Sequence, residues 1–479
     1  MLDLQPHNSS TAKLLNALSS NPTYCYAVLA ILVVAYSFVQ TLRIAFKPGL
    51  SSIPGPVFAN GDAPGFYREL HQRYGKIVRT GPKTVDISDP TAVATIYGIN
   101  SKFVKSAFYD TFSPFYQETV MPSMFSIRDP AQHQALRRPV AQKFSMSSIR
   151  AMEPFADECT DIFLDSMRTL EGQVVDLGDW LQWYAFDVIG AITFQRRFGF
   201  MERQEDVLDM ISSIDSSLRY AALIGQYTQE CMDEYDRRPA AEHSERPDFL
   251  AWLRGEAAKG KPMSARDLVN HLSNNLLAGS DTTGISLRAI VYFLVKNPTA
   301  YKKLQAEVDA ANRAGKLSHY VSYAECLELP YLQAVMKEAM RCHPGVSYPL
   351  ERIVPETGVQ LCGVQLESGT IVSVNAAVIH HDTSIFGEDA ALFRPERWTE
   401  SDEERVNFMD RHLMTFGYGS RTCIGKNISI MEMGKLIPQL IRDFEIEWAS
   451  ERPEWNVKTF WFAKQHGLLC RLRSRKEKK

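Results

Sequence analysis

A chain of 479 residues, 45% of them hydrophobic, has room for two or three ordinary domains or for one large one. Its net charge of −3 gives no electrostatic reason to expect nucleic acid as a partner. The eight cysteines are scattered, with no Cys-x-x-Cys pair and no Cys/His grouping at zinc spacing, which argues against structural zinc and for reduced thiols on the cytosolic side of a membrane.

The first predicted element is an apolar run. No charged residue occurs between Lys13 and Arg43, and Tyr24–Leu42 is dominated by Ala, Val, Leu, Ile and aromatics. As a helix this stretch rises about 28 Å at ~1.5 Å per residue, roughly the hydrocarbon thickness of a bilayer. It predicts a transmembrane anchor over 24–42 behind a lumenal segment, 1–23, where Asn8-Ser-Ser10 has the pattern of a glycosylation acceptor. Arg43 and Lys47 favour the cytoplasm for the rest of the chain. A cleaved signal peptide is the weaker alternative, because the run is long and no small-residue cleavage site follows it. Pro48, Pro54 and Pro56 with Gly49 and Gly55 predict a stiff, non-helical hinge over 43–56.

Residues 57–479 read as one mainly helical domain with small β-sheets, an α+β arrangement with no later Pro/Gly-rich linker. Lys76-Ile-Val-Arg-Thr80 and Thr84-Val-Asp-Ile-Ser88 alternate polar and apolar residues around Gly81-Pro82, a hairpin signature. Helical periodicity covers roughly 146–169, 176–195, 205–224, 266–295 and 298–313. Strands follow at Val359–Glu367 and Ile371–Val374, with turns at Cys362-Gly363 and Ser368-Gly369. Helix returns at 426–443, then short strands, and Arg471–Lys479 reads as a solvated basic end.

Four groups of residues stand out. In Phe416-Gly-Tyr-Gly-Ser-Arg-Thr-Cys-Ile-Gly425, a helix start follows Cys423, Gly419 and Gly425 free the backbone, and Arg421 supplies a cation. That is the setting a thiolate needs to hold a haem iron: N–H groups aimed at sulfur, close chain approach, and a positive charge for a propionate. Leu276-Leu-Ala-Gly-Ser-Asp-Thr-Thr-Gly284 lies inside a helical pattern in which Gly279 and Gly284 each cost about 1 kcal/mol relative to alanine. Asp281 and Thr282 there set a carboxylate beside a hydroxyl, a pair able to relay protons. The blander alternative is a bent buried helix whose threonines bond back to carbonyls one turn earlier. Glu338 and Arg341, three apart, share a helix face, as do His133 and Arg137, four apart.

The match at Phe416, Gly419, Arg421, Cys423 and Gly425 resembles the haem-binding loop of the cytochrome P-450 superfamily, the haem-thiolate monooxygenases. Ala278-Gly279-Ser280-Asp281-Thr282-Thr283 resembles that family's oxygen-side helix, and Glu338-Ala-Met-Arg341 with Arg397 in Phe393-Arg-Pro-Glu-Arg-Trp398 resembles its buried triad. The resemblance implies the cytochrome P-450 fold, haem b with Cys423 as axial ligand, and Phe416, Gly419, Gly425, Ala278 and Gly279 against the haem. His133, Arg137, Arg352 and Arg421 become the propionate cations, with His133 standing where a tryptophan is frequent. Thr282 becomes the oxygen-contacting alcohol and Asp281 its acid partner, while Glu338, Arg341 and Arg397 have a structural role.

No flavin or nicotinamide fingerprint is present, so the resemblance implies electrons from an NADPH-dependent flavoprotein reductase, with O2 and a hydrophobic small molecule as substrates. It also implies single-pass residence in the endoplasmic reticulum membrane with a cytoplasmic catalytic domain. Phe103–Phe125, Val346–Leu350 and Thr459–Phe462 are the expected pocket walls, and their aromatic content predicts an apolar substrate. Phe103–Phe112 and Leu136–Ser145 resemble filamentous-fungal members similar to pisatin demethylase, pointing to tailoring of a terpenoid, polyketide or alkaloid. The alternatives are a haem-thiolate dehydratase or isomerase that needs no external electrons, against which Asp281-Thr282 speaks, and a non-catalytic haem sensor, which would not need that pair.

Overall fold

The computed structural model describes residues 26, 29–37 and 39, then 63–475 except 118, 217–219, 240–247, 260–262 and 460. The expected lumenal segment, the hinge and most of the 24–42 anchor lie outside the described residues. Tyr26, 29–37 and Val39 are helical and exposed, and among the described residues no helix is long and apolar enough to cross a membrane.

The rest is helix-rich with small sheets, as composition and periodicity predict. Five helices build the site: α1 (Pro130–Val140), α2 (Leu177–Phe194), α3 (Ala265–Lys296), α4 (Pro330–Cys342) and α5 (Lys426–Asp443). α1 starts on Asp129, whose side chain accepts from the Gln132 N–H, with Pro130 in the first turn. α3 starts on Ser264, which accepts from the Asp267 N–H, and runs for 32 residues through the centre of the helical core. Most of its length is buried, so packing and not local propensity sustains it.

Two expected helices depart from their patterns. The run over 146–169 divides into Met146–Arg150 and Glu153–Thr169. Pro154 causes this, since it has no N–H to donate and is tolerated only in a first turn. The run over 205–224 starts later than its pattern implies. Leu208 and Asp209 have φ of 55° and 54°, and helix is found at Met210–Ser216 and again at Tyr220–Arg237.

A five-stranded sheet orders Ile77–Arg79, Thr84–Ile87, Ile371–Ser373, Arg352–Ile353 and Val104–Lys105. The first two form the expected hairpin. Register sets Lys105 opposite Arg352, across the sheet's edge pair. The expected turn at Cys362-Gly363 closes a hairpin that pairs Leu361 with Val364; Cys362 (φ 50°) and Gly363 (φ 76°) are the two left-handed residues a tight hairpin turn requires. The basic end is only partly a solvated tail. Leu469–Ser474 is a strand on Phe444–Trp448, because Cys470 and Leu472 alternate with arginines and are buried.

Candidate haem and active site

The loop before α5 folds back so that the Cys423 N–H donates to Phe416 O at 2.8 Å. Gly419 carries φ 61°, and a methyl there would lie 1.9 Å from Tyr97 O. Its bareness therefore serves packing against the helix Pro90–Tyr97, a different reason from close approach to a porphyrin. Cys423 is an exposed residue, although the protein around it desolvates its thiol. Burial raises its thiol, and the Gly425 and Lys426 N–H groups and the Arg137 and Lys426 charges oppose that rise. These are the donors a thiolate needs at a helix start. Lys426 also stands 5.6 Å over the Phe416 ring.

Around this loop stands a set of cations. Arg137 donates to Thr422 O at 2.9 Å, and Arg421 to Ile127 O and Arg128 O at 2.8 and 3.0 Å. Arg352 lies 5.0 Å over Tyr97 and donates to Glu351 O. The buried His133 ring makes no side-chain hydrogen bond among the described residues. Lys105, which nothing in the sequence singles out, completes the set: it is 4% exposed and lies 4.1 and 4.2 Å over Tyr109 and Phe125. Burial, then Arg421, Arg137 and Lys105, push His133 down to about 4. Burial and then Arg352 push Arg421 down to about 10. Burial, then Arg352 and Arg421, hold Lys105 well below its ordinary value. Like charges directly opposite in a strand pair are unfavourable on their own. Lys105 facing Arg352 is the observation that fits a group with two carboxylates, and haem carries two propionates.

On α3, Asn274, Ala278 and Thr282 form a stripe at four-residue spacing that is not buried, flanked by the half-buried Leu277 and Gly279, in a helix most of whose residues are buried. Thr282 Oγ1 donates to Ala278 O at 2.6 Å, the backbone bond of the blander reading. Asp281 is 2% exposed and accepts from Gln182 Nε2 of α2. Gly279 and Gly284 both face α2. Methyls there would lie 2.9 Å from Ile189 Cδ1 and 3.2 Å from Gln182 Cα, so the two glycines let the helices close together. That physical reason differs from ligand approach to the backbone. Thr283 Oγ1 lies 2.9 Å from Ser429 Oγ and ties α3 to α5.

The pair on α4 is no surface ion pair. Glu338 and Arg341 are both 0% exposed and joined by two 2.8 Å hydrogen bonds. Arg397 Nε adds 3.3 Å to the same carboxylate, which also accepts from Trp398 Nε1 at 2.9 Å and the Arg394 N–H at 3.0 Å. Arg341 further donates to the carbonyls of His380, Ala390 and Leu392. His380 extends this network toward the cysteine loop, with Nδ1 at 3.1 Å from Arg341 O and Nε2 accepting from the Met414 N–H at 2.8 Å. The sequence placed Trp398 next to Arg397 and could have shown it; a lone histidine like His380 carries no comparable signal.

Segments far apart in sequence meet as expected on the substrate side. Val346 bridges Phe462, and Trp461 lies 5.8, 5.0 and 5.7 Å from the rings of Phe108, Phe112 and Phe125. Tyr348 stacks on Phe108 at 5.4 Å.

A thiolate-forming cysteine loop, a cation set matched to propionates and an open stripe on a central helix define a haem-thiolate enzyme. Comparison with known proteins agrees: the family described as Cytochrome P450 matches residues 55–224 and 210–470, and the chain belongs to it. It is 35% identical to cytochrome P450 monooxygenase cicH of Emericella nidulans, over 94% of this chain and 99% of that protein. It is 34% identical to pisatin demethylase of Fusarium vanettenii (91% of each chain) and to cytochrome P450 monooxygenase gsfF of Penicillium aethiopicum (93% and 97%). The protein is a haem monooxygenase with Cys423 as the thiolate ligand of the iron.

Proposed function

We propose that this monooxygenase is anchored in the endoplasmic reticulum membrane by residues 24–42, draws electrons from an NADPH-dependent flavoprotein reductase, and oxidises an apolar scaffold of terpenoid, polyketide or alkaloid type in fungal secondary metabolism. The meeting of Phe108, Phe112, Phe125, Tyr348 and Trp461 carries the substrate reading. Five rings offer a large, rigid apolar wall, which favours a flat or polycyclic guest over a charged one. Relatives with printed names such as pisatin demethylase support the class of chemistry.

When bound, haem supplies the oxygen activation, and its thiolate ligand favours O–O cleavage. The chain's residues do the remainder. Arg137, Arg352, Arg421, His133 and Lys105 would hold the propionates, and the N–H groups of Gly425 and Lys426 oppose the rise that burial gives the Cys423 thiol. Thr282 offers a hydroxyl on the open stripe, and the ring wall excludes water from the substrate.

Co-expression of the full chain with a fungal NADPH-dependent reductase tests the reading. Microsomes carrying both are expected to bind polycyclic scaffolds with a haem spectral shift and to give products heavier by one oxygen, or demethylated. Activity found wholly in the soluble fraction contradicts the anchor, and turnover restricted to small charged acids contradicts the substrate class.

A further inference from the structure

The interface of α2 with α3 contains a polar assembly that the family's motifs do not account for. Gln182 stands alone as an amide in an otherwise apolar, buried stretch of α2. Its Nε2 donates to Asp281 Oδ1, and its Oε1 accepts from Arg288 Nη2 at 2.8 Å, so both ends of the amide are assigned by charged partners. Asp281, Gln182 and Arg288 are each 2% exposed. Seven residues separate Asp281 from Arg288, two turns on one face of α3, and Gly284 lies between them.

A methyl at Gly284 would stand 3.2, 3.5 and 3.6 Å from Cα, Cβ and Cγ of Gln182, so the glycine is the notch that seats this side chain. The fit is reciprocal. Arg288 Nε donates to Gly178 O at 2.8 Å, and a methyl at Gly178 would lie 3.0 Å from that nitrogen. Arg288 Nη2 also reaches to 3.6 Å from Asp179, whose side chain is 57% exposed.

We propose that Gln182 and Arg288 are positioning residues for proton delivery, a clamp that holds Asp281 ionised and turned toward α2 between deliveries to the Thr282 side. The inference rests on the monooxygenase activity. The polar chain from Asp281 to Asp179 is not a proton wire, because a guanidinium does not give up its proton. It fixes instead the charge and resting place of a group that must release a proton and reload. A buried carboxylate that loses a donor is shifted toward taking up a proton, and its delivery cycle slows.

Two readouts on the full-length holoenzyme test this, in preparations whose reduced carbon monoxide spectrum shows intact thiolate ligation. The first needs no turnover: Gln182→Leu is expected to gain an infrared band of a protonated carboxyl that disappears in Gln182→Leu/Asp281→Asn. The second needs no substrate. With reductase and NADPH, oxygen reduced to water consumes two NADPH per O2, and oxygen released as peroxide consumes one. Gln182→Leu and Asp281→Asn are each expected to move the ratio from the wild-type value toward one, with no further movement in the double variant.

Gly284→Ala, which disturbs the seat of Gln182 and keeps every polar group, is expected to move the ratio the same way and covers the case in which Gln182→Leu fails to fold. An unchanged ratio and no new carboxyl band in either variant overturn the clamp, as does full additivity in the double variant. A wild type that consumes no oxygen counts against the monooxygenase reading, and the infrared comparison then still decides the clamp.

Discussion

At Gly419 the loop has no slack: φ is 61°, and any Cβ would meet Tyr97 O at 1.9 Å. The left-handed backbone alone costs a non-glycine residue roughly 1–3 kcal/mol, and the overlap adds to it. Gly419→Ala is therefore expected to shift the Cys423 loop and to lose most of the bound haem, read as the haem-to-protein ratio after purification. Gly75 serves as the control. It too has a positive φ, 91°, but nothing lies within 4 Å of its added methyl, so Gly75→Ala is expected to keep its haem. Equal haem content in the two variants would contradict the packing account. His380 gives a second prediction at this scale. Burial first, and then Arg341, push its ring down from 6.5 to about 3, which keeps it neutral with Nε2 free to accept from Met414. Because its folded value is depressed, its contribution to stability is whole above 6.5 and is lost as pH falls from 6.5 toward 3. Buried acids such as Glu432, raised by burial, work in the opposite direction, so the informative quantity is a difference. His380→Gln is expected to melt below the wild type at pH 7, with a gap that narrows on acidification to pH 4. A gap that widens contradicts the assignment.

At the scale of elements, α4 shows what a buried ion pair does. Glu338 receives donors from Arg341, Arg397, Trp398 and the Arg394 backbone, so removing Arg341 takes the nearer cation, with both its 2.8 Å hydrogen bonds, from a carboxylate that has no access to water. Breaking one partner of such a pair costs about 3–5 kcal/mol. Arg341→Ala is expected to unfold at correspondingly lower denaturant, and Arg341→Lys to recover little, since an ammonium cannot reproduce the fork to Glu338 and three carbonyls. Substantial recovery by lysine would show that charge alone sufficed. The same element shows what was legible beforehand: three-residue spacing put Glu338 and Arg341 on one face, but spacing does not tell a buried pair from a solvated one. The boundaries that failed have local causes. Pro154 splits one periodic run, and left-handed Leu208 and Asp209 delay another, neither of which hydropathy registers.

Across the whole molecule, the sequence-local features were the readable ones. The cysteine loop, the Ala278–Thr283 hexapeptide and the hairpins each lie within thirteen residues, so their chemistry is written contiguously. What depended on topology was hidden. Lys105 joins the cations near the cysteine loop only because its strand pairs with Arg352, 247 positions later in the chain, and Gln182 becomes a partner of Asp281 only because Gly279 and Gly284 let α2 and α3 close. The aromatic wall lies between these cases, since the resemblance set its three segments around one pocket, while the ring-to-ring contacts at Trp461 come from the fold. All of this architecture serves one bond, from the Cys423 sulfur to iron. The difference spectrum of the dithionite-reduced protein with carbon monoxide tests that bond most directly. The wild type is expected to show the strongly red-shifted Soret band of thiolate ligation, and Cys423→His to lose it while retaining haem; a wild-type band at the position typical of imidazole-ligated haem, or a Cys423→His band that stays red-shifted, would contradict the account.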